Sequence, residues 1–251
     1  MKYEEIGLVP AAGKGLRLSL PYPKELYPVI RDNRYKPVAQ FVLDNMQAAK
    51  VHHVVVIVNE TKHQLMGHFG DGHRFGLQLS YVFQEPPAPT NGSIGSSGLA
   101  DALDCGYHLY RGKRVFFGMP DSIMEPEDVF AGIRAQSDED DDLVLGLFPT
   151  TRPEKFGMVE MDADNKVLRV IDKPKSTTLT MMWGCIVWGP RFSEHLHHCV
   201  KELHMGDFAE IMNTGLAKGF KMRGVSFNTG TYRDLGTYEE IMDLERAERQ
   251  Q

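Results

Sequence analysis

The 251-residue chain is 42% hydrophobic, enough for a sizeable core in one α/β domain, and carries a formal charge of -6. That balance argues against a nucleic-acid surface, whose usual footprint is a basic face, so an anionic ligand would need a local cluster of Lys and Arg. The start, MKYEEIGLV, is too acidic for a signal peptide, and the longest strongly apolar run, Val54 to Val58, is too short to span a bilayer. Three widely spaced cysteines, Cys105, Cys185 and Cys199, fit neither a disulfide framework nor a zinc site. The expectation is a cytoplasmic protein of one domain over 1–251, with no nucleic-acid and no membrane partner; a homo-oligomer is compatible with the sequence.

Short β-branched runs alternate with segments of helical period. A strand at Ile6 to Val9 precedes a helix from Pro37 to Lys50, where Val38, Phe41, Val42, Met46 and Ala49 share one face and Pro37 suits the first turn. HVVVIV (His53 to Val58), a short helix at Thr61 to Phe69 and LQLSYVF, ending at Phe83, repeat the βαβ rhythm. A helix at Leu99 to Tyr110, the strand RVFFGM (Arg114 to Met119), a helix at Pro126 to Gln136 and DLVLGLF (Asp142 to Phe148) continue it. These strands are apolar on both faces, as buried parallel strands are.

After Thr150 the pattern changes. FGMVEMD and KVLRVID, separated by ADN, predict an antiparallel hairpin, followed by a strand at Trp183 to Trp188 and helices at Phe192 to His204 and Asp207 to Lys218. A last helix opens with Thr237 and Glu240 at capping-box spacing. The long Pro/Gly/Ser-rich stretch Gln84 to Gly98 reads as a lid, the acidic run Asp138 to Asp142 as a solvated turn, and His195 and His198 as surface residues of one helix face.

The chemistry gathers in VPAAGKGLRLSLPYPKEL, Val9 to Leu26. No Walker A loop is present, and a Rossmann fingerprint fails because Leu18 stands where the third glycine belongs. What remains is Gly13-Lys14-Gly15-Leu16-Arg17 followed by Pro23-Lys24, directly behind the first strand, where α/β sheets bind ligands. Glycines let backbone N–H groups approach phosphate oxygens, while Arg17 and Lys24 can neutralise a leaving pyrophosphate. A Gly/Pro surface loop with incidental charges is the alternative.

GLVPAAGKGLRLSLPYPKELYPV resembles the signature loop of the sugar-1-phosphate nucleotidyltransferases, the nucleoside-diphosphate-sugar pyrophosphorylases. Further segments resemble the family in order. Gln84 is similar to its base-reading glutamine, Gly98-Leu99-Ala100-Asp101-Ala102 to its GLAxA helix start, and Phe117-Gly118-Met119-Pro120-Asp121 to its strand ending in a metal-binding Asp. Lys155-Phe156-Gly157-Met158-Val159-Glu160 resembles its sugar-contacting RYGVVE segment, Asp172-Lys173-Pro174 its EKP motif, and Asp234-Leu235-Gly236-Thr237 the DIGT motif with the second metal-binding Asp.

The resemblance implies a single-domain, Rossmann-like (glycosyltransferase-A-like) α/β fold, with a mostly parallel central sheet flanked by helices and a small antiparallel part. It implies transfer of a nucleotidyl group from a nucleoside triphosphate, dTTP or UTP favoured, to a sugar 1-phosphate. Arg17 and Lys24 would be catalytic. Ala11, Ala12, Gly13, Gly15, Gln84, Gly98, Gly157, Asp172 and Lys173 would bind the substrates, and Asp121 and Asp234 would hold Mg2+. Three features depart from the family pattern: a shorter loop between Arg17 and Lys24, which bears on where Lys24 meets the triphosphate; Asp172 in place of Glu, whose shorter reach bears on the sugar contact; and Trp183 in place of a small residue, which puts glucose 1-phosphate in question as the acceptor. A cytidylyltransferase acting on a non-sugar phosphate or phosphonate, and a catalytically silent nucleotide- or sugar-phosphate-binding regulator, are the competing readings.

Overall fold

Alternation of apolar residues along the first strand decides the layers of the molecule. In β1 (Glu5–Pro10), Ile6 and Leu8 enter one core cluster while Val9 enters another on the opposite face. The computed structural model describes residues 3–15, 17–31, 34–85 and 98–248. A hairpin of β2 (Pro28–Arg31) and β3 (Arg34–Pro37) leads into α1 (Val38–Ala48), β4 (His53–Val58), α2 (His63–Phe69) and β5 (Gln78–Phe83). Then come α3 (Leu99–Cys105), α4 (Tyr107–Tyr110), β6 (Arg114–Gly118), β7 (Ser122–Glu125), α5 (Val129–Gln136) and β8 (Leu143–Pro149). The second half adds β9 (Gly157–Met161), β10 (Val167–Asp172), β11 (Met181–Trp188), α6 (Pro190–Lys201), α7 (Phe208–Ala217), β12 (Met222–Ser226), β13 (Thr231–Asp234) and α8 (Tyr238–Glu248).

The central sheet has nine strands, in the order β10-β9-β11-β6-β1-β4-β5 with β8 beside β11 and β12 beside β8. Strands β1, β4, β5, β6, β8, β9 and β12 run one way; β10 and β11 run against them. The sheet is therefore mostly parallel, and the expected β9–β10 hairpin is antiparallel. Helices α3, α6 and α7 cover the face carrying Ile6, Leu8, Val55, Ile57, Leu143 and Leu145, while α1, α2 and α5 cover the face carrying Val9, Val54, Val56 and Val144. A third cluster, Leu18, Val29, Val38, Phe41, Ile123, Leu235, Ile241 and Leu244, joins the opening loop to the C-terminal helix.

Several expectations need correction. Pro37 precedes α1 as its cap rather than opening its first turn, and the helix expected from Leu99 to Tyr110 breaks at Gly106. Strand β7 takes the segment before α5, and Asp234, four residues before α8, also ends β13; the two strands pair, with Asp234 opposite Ser122. The acidic run is only partly solvated. Asp141 and Asp142 are buried, the first accepting from Arg223 Nε at 3.0 Å and the second from Arg191 Nη1 and the Lys221 backbone, both at 2.9 Å. His195 is also buried, with Nε2 at 3.1 Å from Ile211 O and from Thr214 Oγ1. The cysteines are free, as expected. No helix among the described residues is long and apolar enough to cross a membrane.

At the sheet edge, β10 pairs on one side only with β9, and an asparagine side chain serves its other side. Asn213 on α7 donates Nδ2–H to Val170 O at 2.7 Å and accepts from Val170 N at 2.9 Å, mimicking a neighbouring strand. Asn213→Ala removes both bonds and leaves two half-buried backbone groups short of partners. We expect a loss of about 2 kcal/mol, read as a lower urea midpoint with unchanged slope.

Candidate functional site

The sheet delivers its loops to one edge, and a cleft of about 470 Å³ opens there. Arg17, Lys24, Asp121, Gly157, Asp172, Lys173 and Asp234 line it, so the model brings these sequence-predicted residues together. Ala11, Ala12, Gly13, Gly15, Gln84 and Gly98 do not line it. Ala11 is buried and donates its N–H to Ile57 O at 2.7 Å, continuing β1 beside β4. Gly13 is exposed, and Gly15 turns the loop with a φ of 62°, in the left-handed region that favours glycine. Gln84 continues from β5 with its N–H on Val58 O at 2.8 Å. Gly98 donates to Asp101 Oδ2 at 2.8 Å, just before Leu99 reaches the cleft. Residues 86–97, most of the expected lid, lie outside the described residues.

Two strands far apart in sequence make the acidic floor. Asp121 follows β6, Asp234 ends β13, and the Leu235 N–H donates to Asp121 O at 2.8 Å, locking the two backbones together. Lys24, in a short 3-10 turn at Lys24–Leu26, gives its ammonium to Asp121 Oδ2. Burial disfavours that ammonium, but the charge and hydrogen bond of Asp121, with the charges of Glu25 and Asp234, together hold the lysine above its ordinary value. Asp234 is pushed up from 3.8 to about 7, first by burial, then by the charges of Asp121 and Glu240; Lys24 and Arg17 pull the other way. A methyl group built on Gly236 would lie 3.2 Å from Asp234 Oδ2 and 3.4 Å from Arg17 Nη2, so that glycine leaves space for the arginine beside the carboxylate.

Buried contacts hold this arrangement. Leu18, only 1% exposed, anchors the loop immediately after Arg17 in the third core cluster, and the Tyr238 hydroxyl donates to its carbonyl. On the opposite wall, Lys155 donates to Glu240 Oε1 at 2.9 Å. Burial would raise the Glu240 carboxyl, yet hydrogen bonds from Lys155 and Thr237 and the charge of Arg152 leave it below its ordinary value. The sequence placed Lys155 in the segment resembling RYGVVE and Glu240 at a capping-box position, but gave no sign that the two meet beside the cleft.

The far end of the cleft is aromatic. Gly157 lies under Trp183: an added Cβ would meet Nε1 at 2.1 Å, so no other residue fits there while the indole stays in place. The indole packs on Phe117 and Phe208, and its buried N–H has no acceptor among the described residues. Asp172 and Lys173 pair at 2.8 Å on the rim. Lys173 has a φ of 43°, held by its N–H on Phe156 O at 3.0 Å, a conformation that costs a side-chain-bearing residue on the order of 1 kcal/mol.

Asp121 and Asp234 offer the hard carboxylate oxygens that Mg2+ takes, and the proton affinity of Asp234 marks a place where positive charge is wanted, so the residues fit such an ion. No group of three or more His, Cys, Asp or Glu forms another candidate metal site among the described residues.

A family model described as "Nucleotidyl transferase" matches residues 6–251. A glucose-1-phosphate thymidylyltransferase of Streptomyces griseus is 27% identical over 95% of this chain, and the low-salt glycan biosynthesis nucleotidyltransferase of Haloferax volcanii is 23% identical over 94%. The chain spans 64% of the length of each of these relatives. Among solved structures, one assigned as a Bacillus anthracis glucose-1-phosphate thymidylyltransferase, in complex with a sucrose, superposes with a TM-score of 0.81 at 20% identity, covering 98% of this chain and 95% of its own. A UDP-glucose pyrophosphorylase complexed with UDP-glucose gives a TM-score of 0.78 at 19% identity, covering 98% and 99%. At such identities these structures establish the fold, and with a family match spanning nearly its whole length the chain belongs to the nucleotidyl transferase family.

Proposed function

We propose that this protein transfers a nucleotidyl group from a nucleoside triphosphate, dTTP or UTP favoured, to a sugar 1-phosphate and releases pyrophosphate. The observation that carries the reading is one cleft in which two adjacent carboxylates face Arg17 and Lys24, with a separate aromatic and polar end at Gly157, Asp172, Lys173 and Trp183. An acceptor phosphate oxygen attacks the α-phosphorus, the bond from that phosphorus to the bridging oxygen breaks, and pyrophosphate leaves with the electron pair. No protein nucleophile is required, so positioning and charge neutralisation supply the rate. Arg17 and Lys24 take the triphosphate and the developing charge on its leaving group. A magnesium ion held by Asp121 and Asp234 supplies further charge neutralisation at the phosphates when bound. Gln84 reads the base through its amide, which can pair with an imide edge.

Trp183 favours a second reading of the acceptor. Its indole occupies space at the end where the acceptor would sit, which fits a compact phosphate or phosphonate loaded from CTP.

A pyrophosphate-release panel crossing five nucleoside triphosphates with several sugar 1-phosphates and small phosphates tests the reaction. Release is expected only with donor, acceptor and divalent ion together; nucleotide binding without turnover across the panel would make the protein a regulator. Asp234→Asn should lower turnover about a hundredfold or more while raising the stability of the metal-free protein. The sign follows from the carboxyl being held up to about 7: between 3.8 and about 7 the unfolded chain ionises while the folded one keeps its proton, so native stability falls as pH rises through that window. The asparagine variant should gain up to about 4 kcal/mol over wild type at pH 8, and the gain should vanish near pH 4. Equal melting at both pH values would refute the assignment of that strain. Trp183→Ala should raise kcat/KM for bulkier acceptors relative to compact ones by about tenfold; an unchanged ratio would remove Trp183 from acceptor selection.

A further inference from the structure

The most deeply buried ion pair among the described residues lies next to Lys24. Lys62 Nζ donates to both oxygens of Glu25, at 2.9 and 2.8 Å, with the side chains only 3% and 1% exposed. Glu25 follows Lys24 in the short turn at Lys24–Leu26, and Lys62 closes a second turn, Glu60–Lys62, directly after β4. Asn59 begins that second turn. It accepts from Thr61 N at 2.9 Å and from Thr61 Oγ1 at 2.7 Å, and donates to Ala12 O at 2.5 Å. Residues 59–62 thus hold the opening loop at both ends, at Ala12 and at Glu25, with Gly13, Gly15, Arg17 and Lys24 between.

Stability alone does not account for such a pair. Dehydrating an ammonium and a carboxylate costs several kcal/mol per ion, and well-packed apolar residues of similar volume are often as stabilising or more so. What two directional bonds provide, and apolar packing does not, is a fixed location for the backbone that carries Lys24.

We propose that Glu25 and Lys62 are a positioning pair, which fixes where the Lys24 ammonium stands relative to Asp121 and thereby sets the rate of transfer without touching substrate. The effect on rate rests on the nucleotidyl-transfer reading above. A displacement of about 1 Å at a reacting group can cost on the order of a hundredfold in rate, so a loosened turn has large consequences.

The test is the apolar double variant Glu25→Leu/Lys62→Met beside Lys62→Met alone. The single variant strands a buried carboxylate and should melt well below wild type. The double variant should melt at or above wild type, yet show kcat reduced roughly tenfold to a hundredfold with KM for the triphosphate within about threefold of wild type. A second readout needs no substrate: hydrogen exchange at the Leu26 and Tyr27 amides, whose bonds to Pro23 O and Lys24 O close the turn, should be faster in the double variant than in the wild type. A double variant with wild-type kcat and unchanged exchange at those amides would make the pair purely structural and overturn the proposal. If the double variant does not fold, Glu25→Gln, which keeps the shape and one acceptor oxygen, decides the matter by the same two readouts. Wild-type protein that turns over no substrate pair would refute the nucleotidyl-transfer reading instead, and the exchange would still report whether the pair holds the turn that carries Lys24.

Discussion

Two carboxylates held side by side in a poorly hydrated cleft repel each other, and much of this structure acts to keep Asp121 and Asp234 together. Strand pairing between β7 and β13 and the Leu235 N–H on Asp121 O oblige the backbones to meet. Countercharge then limits the electrostatic cost: Lys24 sits on Asp121, and Arg17 shares the space over Gly236 with Asp234. Burial, with the charges of Asp121 and Glu240, outweighs that countercharge and pushes Asp234 up to about 7.

The scaffold supplies rigidity where that balance demands it. Leu18, Val29, Ile123, Leu235, Ile241 and Leu244 belong to a separate core cluster in which Leu18, Ile123 and Leu235 closely follow Arg17, Asp121 and Asp234 in sequence, so apolar burial fixes the chain just after each of them. Hydrophobic burial is non-directional and holds elements together. The buried polar contacts, Asn59 on Ala12 and Lys62 on Glu25, add direction at the loop that carries the cations. Local cost is tolerated at the same edge, in the left-handed Lys173 and in a glycine that only an absent side chain lets lie under Trp183.

Much of the fold was legible in the sequence because it rests on local pattern. Buried strands β1, β4, β6, β8 and β11 announce themselves by β-branched and aromatic runs, and the β9–β10 hairpin by its Asp-Asn turn. The loop chemistry of Gly15, Arg17 and Lys24 was legible too, since glycine spacing and adjacent cations need no knowledge of the rest of the chain. Strands β7 and β13 were not, because each has four residues and exists as a strand only through pairing with the other. The same holds for the acidic run 138–142. Asp141 and Asp142 read as solvated until Arg223 and Arg191, from distant segments, cover them.

The sequence by itself therefore determined the order of the long buried strands and the main helices, the apolar faces that sandwich the sheet, and the residue types available for phosphate chemistry, while β2, β3, β7, β12 and β13 went unread. Tertiary structure alone decided which charges meet: Lys24 with Asp121 across 97 residues, Lys62 with Glu25 across 37, and Lys155 with Glu240 across 85. Propensity and periodicity act over one or two turns of chain. An ion pair depends on distance and desolvation, and both come into being only when the sheet has closed and water has been displaced from between its loops.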